Sequence, residues 1–114
     1  SIHASLNSDS DHLITRDKLA LMKKSAVLIN VARGAIVDEK ALTEALKTGQ
    51  LWAAGLDVYE HEPQIEPELL SLKNVVLLPH IGSATYETRL KMSFMAVNNL
   101  LEVLAGKTPA NLVT

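Results

Sequence analysis

The fold of this chain is decided by one stretch, Ala26-Val27-Leu28-Ile29-Asn30-Val31-Ala32-Arg33-Gly34. From Ala26 to Val31 every residue except Asn30 is apolar, and β-branched types are frequent. A short continuous apolar run of this kind is typical of a strand that is buried on both faces. A helical segment follows it, so the stretch predicts one strand of a parallel α/β sheet that ends just before Arg33.

Two later stretches have the same form. Residues 53–58 are a short apolar run that carries Asp57, and residues 74–80 are a second run that closes on His80. Residues 38–47 have the helical spacing of apolar positions that would connect the first two strands. We therefore expect three parallel neighbours in one sheet. The predicted strands are Ala26–Val31, Ala53–Val58 and Val75–Leu78.

The last third of the chain predicts one long helix. Ser83 or Thr85 can cap its start, and Gly106 is placed to end it after about Ala105. Apolar residues recur along it at helical spacing and form one stripe. The stripe consists of Leu90, Phe94, Val97, Leu101 and Leu104.

Composition excludes several classes of protein. The 114 residues carry a net charge of -2 and are 47% apolar, which excludes disorder and gives no reason to expect nucleic acid as a partner. The sequence has no cysteine and no apolar run long enough to span a membrane, and its four histidines lack metal-ligand spacing. These features predict a cytoplasmic protein without a metal site. The chain begins Ser-Ile-His without methionine, and we expect it to be a piece of a longer protein.

Three polar side chains lie at or just past the ends of the predicted strands. Arg33, Asp57 and His80 would emerge at the same edge of a parallel sheet, where ligands bind. Singly, they could be a surface charge, a local cap and a histidine at a strand end. Together, a histidine with a carboxylate partner and an arginine fork suit proton transfer at the carbonyl of a small oxo acid. The residues alone do not choose between Glu60 and Glu62 as a further carboxylate of the site.

Three motifs resemble a known family. Asn30–Gly34, Gly55–Pro63 and Leu78–Thr85 resemble the D-isomer-specific 2-hydroxyacid dehydrogenases, and the similarity extends over nearly all of the chain. The run His80–Thr85, with Asn98-Asn99-Leu100, is most similar to the glyoxylate/hydroxypyruvate reductase branch. The resemblance implies a partial Rossmann-like, doubly wound parallel sheet with a long C-terminal helix. Residues 1–84 would be the second half of the NAD(P)-binding domain, and residues 85–114 would return to the substrate domain.

The resemblance also implies roles for individual residues. Arg33 would bind the substrate carboxylate and polarise the carbonyl, His80 would give a proton to the carbonyl oxygen, and Glu62 would hold His80 by a hydrogen bond. The cofactor would be NAD or NADP and the substrate a small 2-oxo acid such as glyoxylate or hydroxypyruvate. The complete enzyme would be a homodimer with neither nucleic acid nor membrane as a partner. The implied cofactor contacts are Val31, Ala32, Arg33, Asp57, His80, Gly82 and Ser83.

Two other functions remain open on the same fold. Formate oxidation would call for glutamine in the place of Glu62, so the glutamate argues against it. A non-catalytic binding module, like the corepressors of this fold, could retain Arg33, Glu62 and His80. The sequence also departs from the family at Ala4-Ser5, where a proline is usual. The glycine-rich pyrophosphate loop of the family is not in the chain.

Overall fold

A computed structural model describes residues 1–113 of the chain and places strands where the apolar runs predict them. Strand β1 is Val27–Asn30, β2 is Ala53–Leu56 and β3 is Val75–Leu77. They form one sheet in the order β1-β2-β3, and both pairs are parallel. Each strand is shorter than the predicted one, but the predicted parallel arrangement and the α/β class are confirmed.

Two helices belong to the same compact unit, which comprises Ser1–Ile81. Helix α1 is Arg16–Ala20, and α2, which connects β1 to β2, is Glu39–Lys47. The carboxylate of Asp38 accepts the backbone N–H of Ala41 at 2.9 Å and so caps α2, as its type and position predict. Short 3₁₀ turns occupy Gly34–Ile36 and Leu69–Ser71.

The prediction that the pivotal strand is buried on both faces is wrong. Leu28 and Asn30 are buried in the core, whereas Val27 is 42% exposed and Val31, just past the strand, is 49% exposed. On β3, Val76 is 63% exposed. The physical reason is that the buried side chains of α1 and α2 pack against alternate strand residues, which share one face of the sheet.

The second compact unit begins at Gly82 and contains helix α3, Tyr86–Leu104. The hydroxyl of Thr85 accepts the backbone N–H of Thr88 at 3.2 Å and caps the helix. Gly106 has a φ of 72°, the left-handed conformation that follows a helix end. The predicted helix is confirmed, and none of its residues is buried. Among residues 1–113, no helix has both the length and the hydropathy needed to cross a membrane.

Candidate active site

The register of the sheet places the carboxyl ends of the three strands side by side. Asn30 pairs with Leu56, and Leu56 pairs with Leu77. The chain therefore leaves β1, β2 and β3 at the same level, and the segments that carry Arg33, Asp57 and His80 all start from the carboxyl edge of the sheet. This is the edge at which the sequence places a site.

The loop after β1 is shaped by the side chain of Asn30, which is 1% exposed. Its amide nitrogen donates to the carbonyl of Arg33 at 2.9 Å, and its oxygen accepts the N–H of Ala32 at 3.1 Å. The guanidinium of Arg33 donates to the Ala32 carbonyl at 2.7 Å, and the residue is exposed. Sequence reasoning missed this role of Asn30, although one polar residue inside an apolar run was the available signal.

Gly34 is where the loop after β1 meets the loop after β2. A Cβ atom at Gly34 would lie 1.8 Å from the carbonyl carbon of Tyr59 and 2.4 Å from the nitrogen of Glu60. The glycine is therefore required by the close approach of two backbone segments. Gly34 does not have a positive φ, so a left-handed turn is not the reason for a glycine at this position.

Asp57 is buried at the end of β2, with 3% of its surface exposed. Its carboxylate accepts the backbone N–H of Ile81 at 2.8 Å. Asp57 therefore reaches across the sheet edge to fix the backbone directly after His80, rather than acting only on its own turn.

Glu62 and His80 form the central contact of the site. Their Oε2 and Nδ1 atoms are 2.8 Å apart, and the backbone N–H of Tyr59 donates to the other carboxylate oxygen, Oε1, at 3.0 Å. Because a carboxylate only accepts, Nδ1 of His80 carries the proton of this bond. The second ring nitrogen, Nε2, belongs to a side chain that is 49% exposed.

The surroundings of Glu62 favour its ionised form. The hydrogen bond from His80 holds the pKa of Glu62 below its ordinary value of 4.5. The N–H of Tyr59 and the positive charges of His80 and Arg33 lower this pKa further, while partial burial opposes them. The pair thus consists of an anionic carboxylate and an imidazole that it orients.

Glu60, the other carboxylate of the motif, has different partners. Its Oε1 lies 2.9 Å from Nε2 of His12, and its Oε2 accepts the N–H of Glu39 at 3.2 Å. Glu60 is therefore occupied at the start of α2, and the structure brings Glu62, not Glu60, to His80.

Glu39 holds the loop that carries Glu62, and sequence reasoning missed it. The residue is 7% exposed, and its carboxylate accepts the N–H of Glu60 at 2.9 Å and that of Glu66 at 2.7 Å. These two amides lie at either end of the loop around Glu62. An acidic residue in the first turn of a helix is ordinarily explained by the helix dipole, so the sequence offered no separate signal.

Tyr59 is the second residue whose role was missed. Its side chain is buried, and its hydroxyl donates to the carbonyl of Leu78 at 2.8 Å. Burial raises the pKa of Tyr59, and the nearby charges of Asp57 and Glu39 raise it further. The phenol therefore remains neutral and remains a donor.

The other predicted residues are distributed as follows. Val31, Ala32 and Arg33 line an open cavity of about 460 Å³ together with residues 2–6. Gly82 and Ser83 follow His80 in the chain and belong to the second compact unit. Within the described part of the chain, no three histidine or carboxylate side chains are grouped so that they could hold a metal ion.

A family model matches the sequence over most of the chain. Residues 1–82 match the model described as D-isomer specific 2-hydroxyacid dehydrogenase, NAD binding domain. Glyoxylate/hydroxypyruvate reductase B of Erwinia tasmaniensis is 58% identical over 109 residues, which is 95% of this chain and 34% of the relative. The chain thus spans about a third of the length of the curated relatives that it matches.

Solved structures agree with the match. A Thermus thermophilus protein superposes with a TM-score of 0.92 and 48% identity, over 98% of this chain and 36% of that protein. The NADPH-dependent glyoxylate/hydroxypyruvate reductase of Sinorhizobium meliloti, in complex with NADP and malonate, has a TM-score of 0.81 and 45% identity over 84% of this chain. That match covers 30% of the Sinorhizobium chain.

Proposed function

Because the chain belongs to the D-isomer specific 2-hydroxyacid dehydrogenase family through its NAD-binding domain, we propose that it supplies the acid–base residues of a reductase of small 2-oxo acids. Glyoxylate and hydroxypyruvate are the substrates that we propose, because they appear in the names of similar proteins. The observation that carries the proposal is the 2.8 Å contact between Glu62 and His80.

His80 is the proton donor of the proposed reaction. With Nδ1 held by Glu62, the proton on Nε2 of the imidazolium is the one available to a substrate. As hydride reaches the carbonyl carbon of the 2-oxo acid, His80 gives this proton to the carbonyl oxygen, and a 2-hydroxy acid forms. The anionic Glu62 keeps the ring oriented for the transfer.

Arg33 binds the substrate carboxylate in this proposal. A guanidinium presents two parallel donors to a carboxylate, which fixes both the position and the plane of the acid. Arg33 is exposed at the carboxyl edge, and its charge acts on Glu62, which supports its place in the same site. The malonate bound by the Sinorhizobium relative is also a small carboxylate.

NAD or NADP is the cofactor that we propose, and its reduced form, NADH or NADPH, would supply the hydride. The fit is supported by the cavity of about 460 Å³ that Val31, Ala32 and Arg33 line at the carboxyl edge. The family resemblance implies further contacts with the nicotinamide, at Asp57, His80, Gly82 and Ser83. The chain itself contains no Gly-x-Gly-x-x-Gly, so its part is to receive the reactive end of the cofactor.

The family resemblance supports three further parts of the proposal. Residues 1–84 would be the second half of the cofactor domain, and residues 85–114 would lead back to the substrate domain. The complete enzyme would be a cytoplasmic homodimer. Its partner molecules would be small 2-oxo acids, with neither nucleic acid nor membrane involved.

A chimera tests the proposed chemistry. This chain would replace the aligned segment of the Erwinia tasmaniensis relative, which is 58% identical to it. We expect the chimera to reduce glyoxylate or hydroxypyruvate with NADH or NADPH. In that chimera His80→Ala should lower turnover by about 10²–10⁴, the usual range for the loss of a general acid. Arg33→Lys should not preserve activity, because an ammonium lacks the planar fork.

His61→Ala is the matched control. His61 lies one residue before Glu62, and its side chain is 80% exposed. The His61→Ala substitution should therefore leave turnover nearly unchanged. A folded chimera that shows no turnover, or one whose turnover does not depend on His80, would contradict the proposal and favour a non-catalytic binding module.

A further inference from the structure

We propose that Tyr59 is a positioning residue that holds both members of the Glu62–His80 pair. Its backbone N–H fixes Glu62, and its hydroxyl fixes the segment that leads into His80. The inference rests on the proposed role of His80 as the proton donor. It adds a residue that contacts neither substrate nor cofactor in that proposal.

The contacts of Tyr59 join the segments that follow all three strands. Its N–H donates to Glu62 at 3.0 Å, and its hydroxyl donates to the Leu78 carbonyl at 2.8 Å. Its carbonyl group lies so close to Gly34 that a Cβ there would be 1.9 Å from the oxygen. One buried residue is therefore in contact with the loops that carry Arg33, Glu62 and His80.

The hydroxyl bond matters because the backbone near His80 needs restraint. His80 has a φ of 55°, the left-handed conformation that residues other than glycine rarely adopt. Pro79, just before it, has no N–H with which to hold the segment. The segment is instead held on either side of His80, at the Leu78 carbonyl by Tyr59 and at the Ile81 N–H by Asp57.

The position of Leu78 explains why a side chain makes this bond. Strand β3 ends at Leu77, and the N–H of Leu78 donates to the Leu56 carbonyl at 2.8 Å as the last bond of the ladder. The Leu78 carbonyl lies beyond the strand, where the phenol reaches it. Burial keeps that phenol neutral, so the donor persists across the working pH range.

Tyr59→Phe removes the hydroxyl and leaves the ring and the backbone N–H in place. The test is performed on the 114-residue chain, with nitrogen-15 NMR of the His80 ring and hydrogen exchange of the Ile81 amide. In the unmodified chain the neutral His80 ring should carry its proton on Nδ1. In the variant we expect a second population with the proton on Nε2, and exchange at Ile81 that is about tenfold faster.

Tyr86→Phe is the matched control, since Tyr86 is the other tyrosine of the chain and is 82% exposed. It should change neither the His80 tautomer nor the exchange of Ile81. Unchanged tautomer and exchange in a folded Tyr59→Phe variant would overturn the proposal, because a side chain that only fills the core would give that result.

A second measurement covers the case in which Tyr59→Phe does not fold. Replacing tyrosine by ring-fluorinated tyrosine makes the hydroxyl more acidic and strengthens its hydrogen bond, while the hydroxyl and the carbon ring stay in place. Hydrogen exchange at the Ile81 amide should then be slower than in the chain with ordinary tyrosine. The same slowing should be seen in a Tyr86→Phe background, in which Tyr59 is the sole fluorinated residue. Unchanged exchange would overturn the proposal.

Activity in the chimera separates this inference from the proposed function. There Tyr59→Phe should lower kcat by about three- to tenfold and leave KM within about twofold, because the loss affects His80 rather than substrate binding. Unchanged kcat in an active chimera would also overturn the role of Tyr59. If the chimera is folded but inactive, the proposed function fails, and the NMR result still decides whether Tyr59 positions His80.

Discussion

Gly34→Ala tests the close approach of the loops that follow β1 and β2. The added Cβ would lie 1.8 Å from the carbonyl carbon of Tyr59, 1.9 Å from its oxygen and 2.4 Å from the nitrogen of Glu60. All three neighbours are backbone atoms, which cannot rotate away as the end of a side chain can. One of the two loops must therefore move, and the loops that carry Arg33 and Glu62 would separate.

The magnitude follows from the overlap. Ordinary contacts of a Cβ begin near 3.4 Å, so the two backbones must separate by more than an ångström. Inserting a methyl group into a packed site costs about 1–3 kcal/mol, and a rigid backbone neighbour places this case at about 3 kcal/mol or above. For a chain of this size that loss corresponds to a fall in Tm of about 10 °C or more.

Urea denaturation followed by circular dichroism measures the effect, with Gly49→Ala as the matched control. Gly49 has a φ of 68°, and no atom lies within 4 Å of the position that an added Cβ would occupy, so its substitution tests conformational strain alone. That strain should cost about 1–2 kcal/mol. If Gly34→Ala is no more destabilising than Gly49→Ala, the close approach is not a real constraint and the reasoning is refuted.

Two further predictions concern the carboxylates around the site. The pKa of Glu62 is lowered by its bond with His80, so the carboxylate contributes stability that is present above pH 4.5 and is lost as pH falls through its lowered pKa. The free energy of unfolding is measured in urea from neutral pH into acid. It should fall less steeply in Glu62→Gln than in the unmodified chain, and an equally steep fall in both would contradict the pairing. Glu39→Gln leaves one of two loop amides facing an NH₂ group and should cost about 1–3 kcal/mol, whereas the exposed Glu44→Gln on the same helix should cost far less. Equal losses for the two glutamine variants would show that the buried carboxylate does not hold the loop.

The sequence was sufficient to predict the parallel sheet. Each strand is a short apolar run, and such runs are typical of strands that lie side by side in a parallel sheet. The sequence predicted that Arg33, Asp57 and His80 leave one edge, because that placement depends only on where each run stops. It did not separate Glu60 from Glu62. The two carboxylates differ in their partners, His12 and His80, and these are fixed by long-range packing that local spacing does not record.

The error about burial has a related cause. A run such as Val27–Val31 has apolar residues on both faces, so its composition cannot report which face the side chains of α1 and α2 cover. The structural roles of Asn30, Glu39 and Tyr59 were missed for a different reason. Each bonds to backbone groups, which every residue possesses, so no pattern of side-chain types identifies the partner.

Three of the hydrogen bonds that build the site join distant parts of the chain, and this has a consequence for folding kinetics. Glu62 and His80 are 18 residues apart, Tyr59 and Leu78 are 19 apart, and Asp57 and Ile81 are 24 apart. Contacts with such separations form late, after loop closure has been achieved, whereas the turns of α2 form locally and early. A chain in which β3 has not yet joined the sheet therefore has helix α2, but the imidazole of His80 is not yet paired with Glu62. We expect the histidine to acquire its orientation in the final cooperative step of folding, and to lose it in the first partial opening that releases β3.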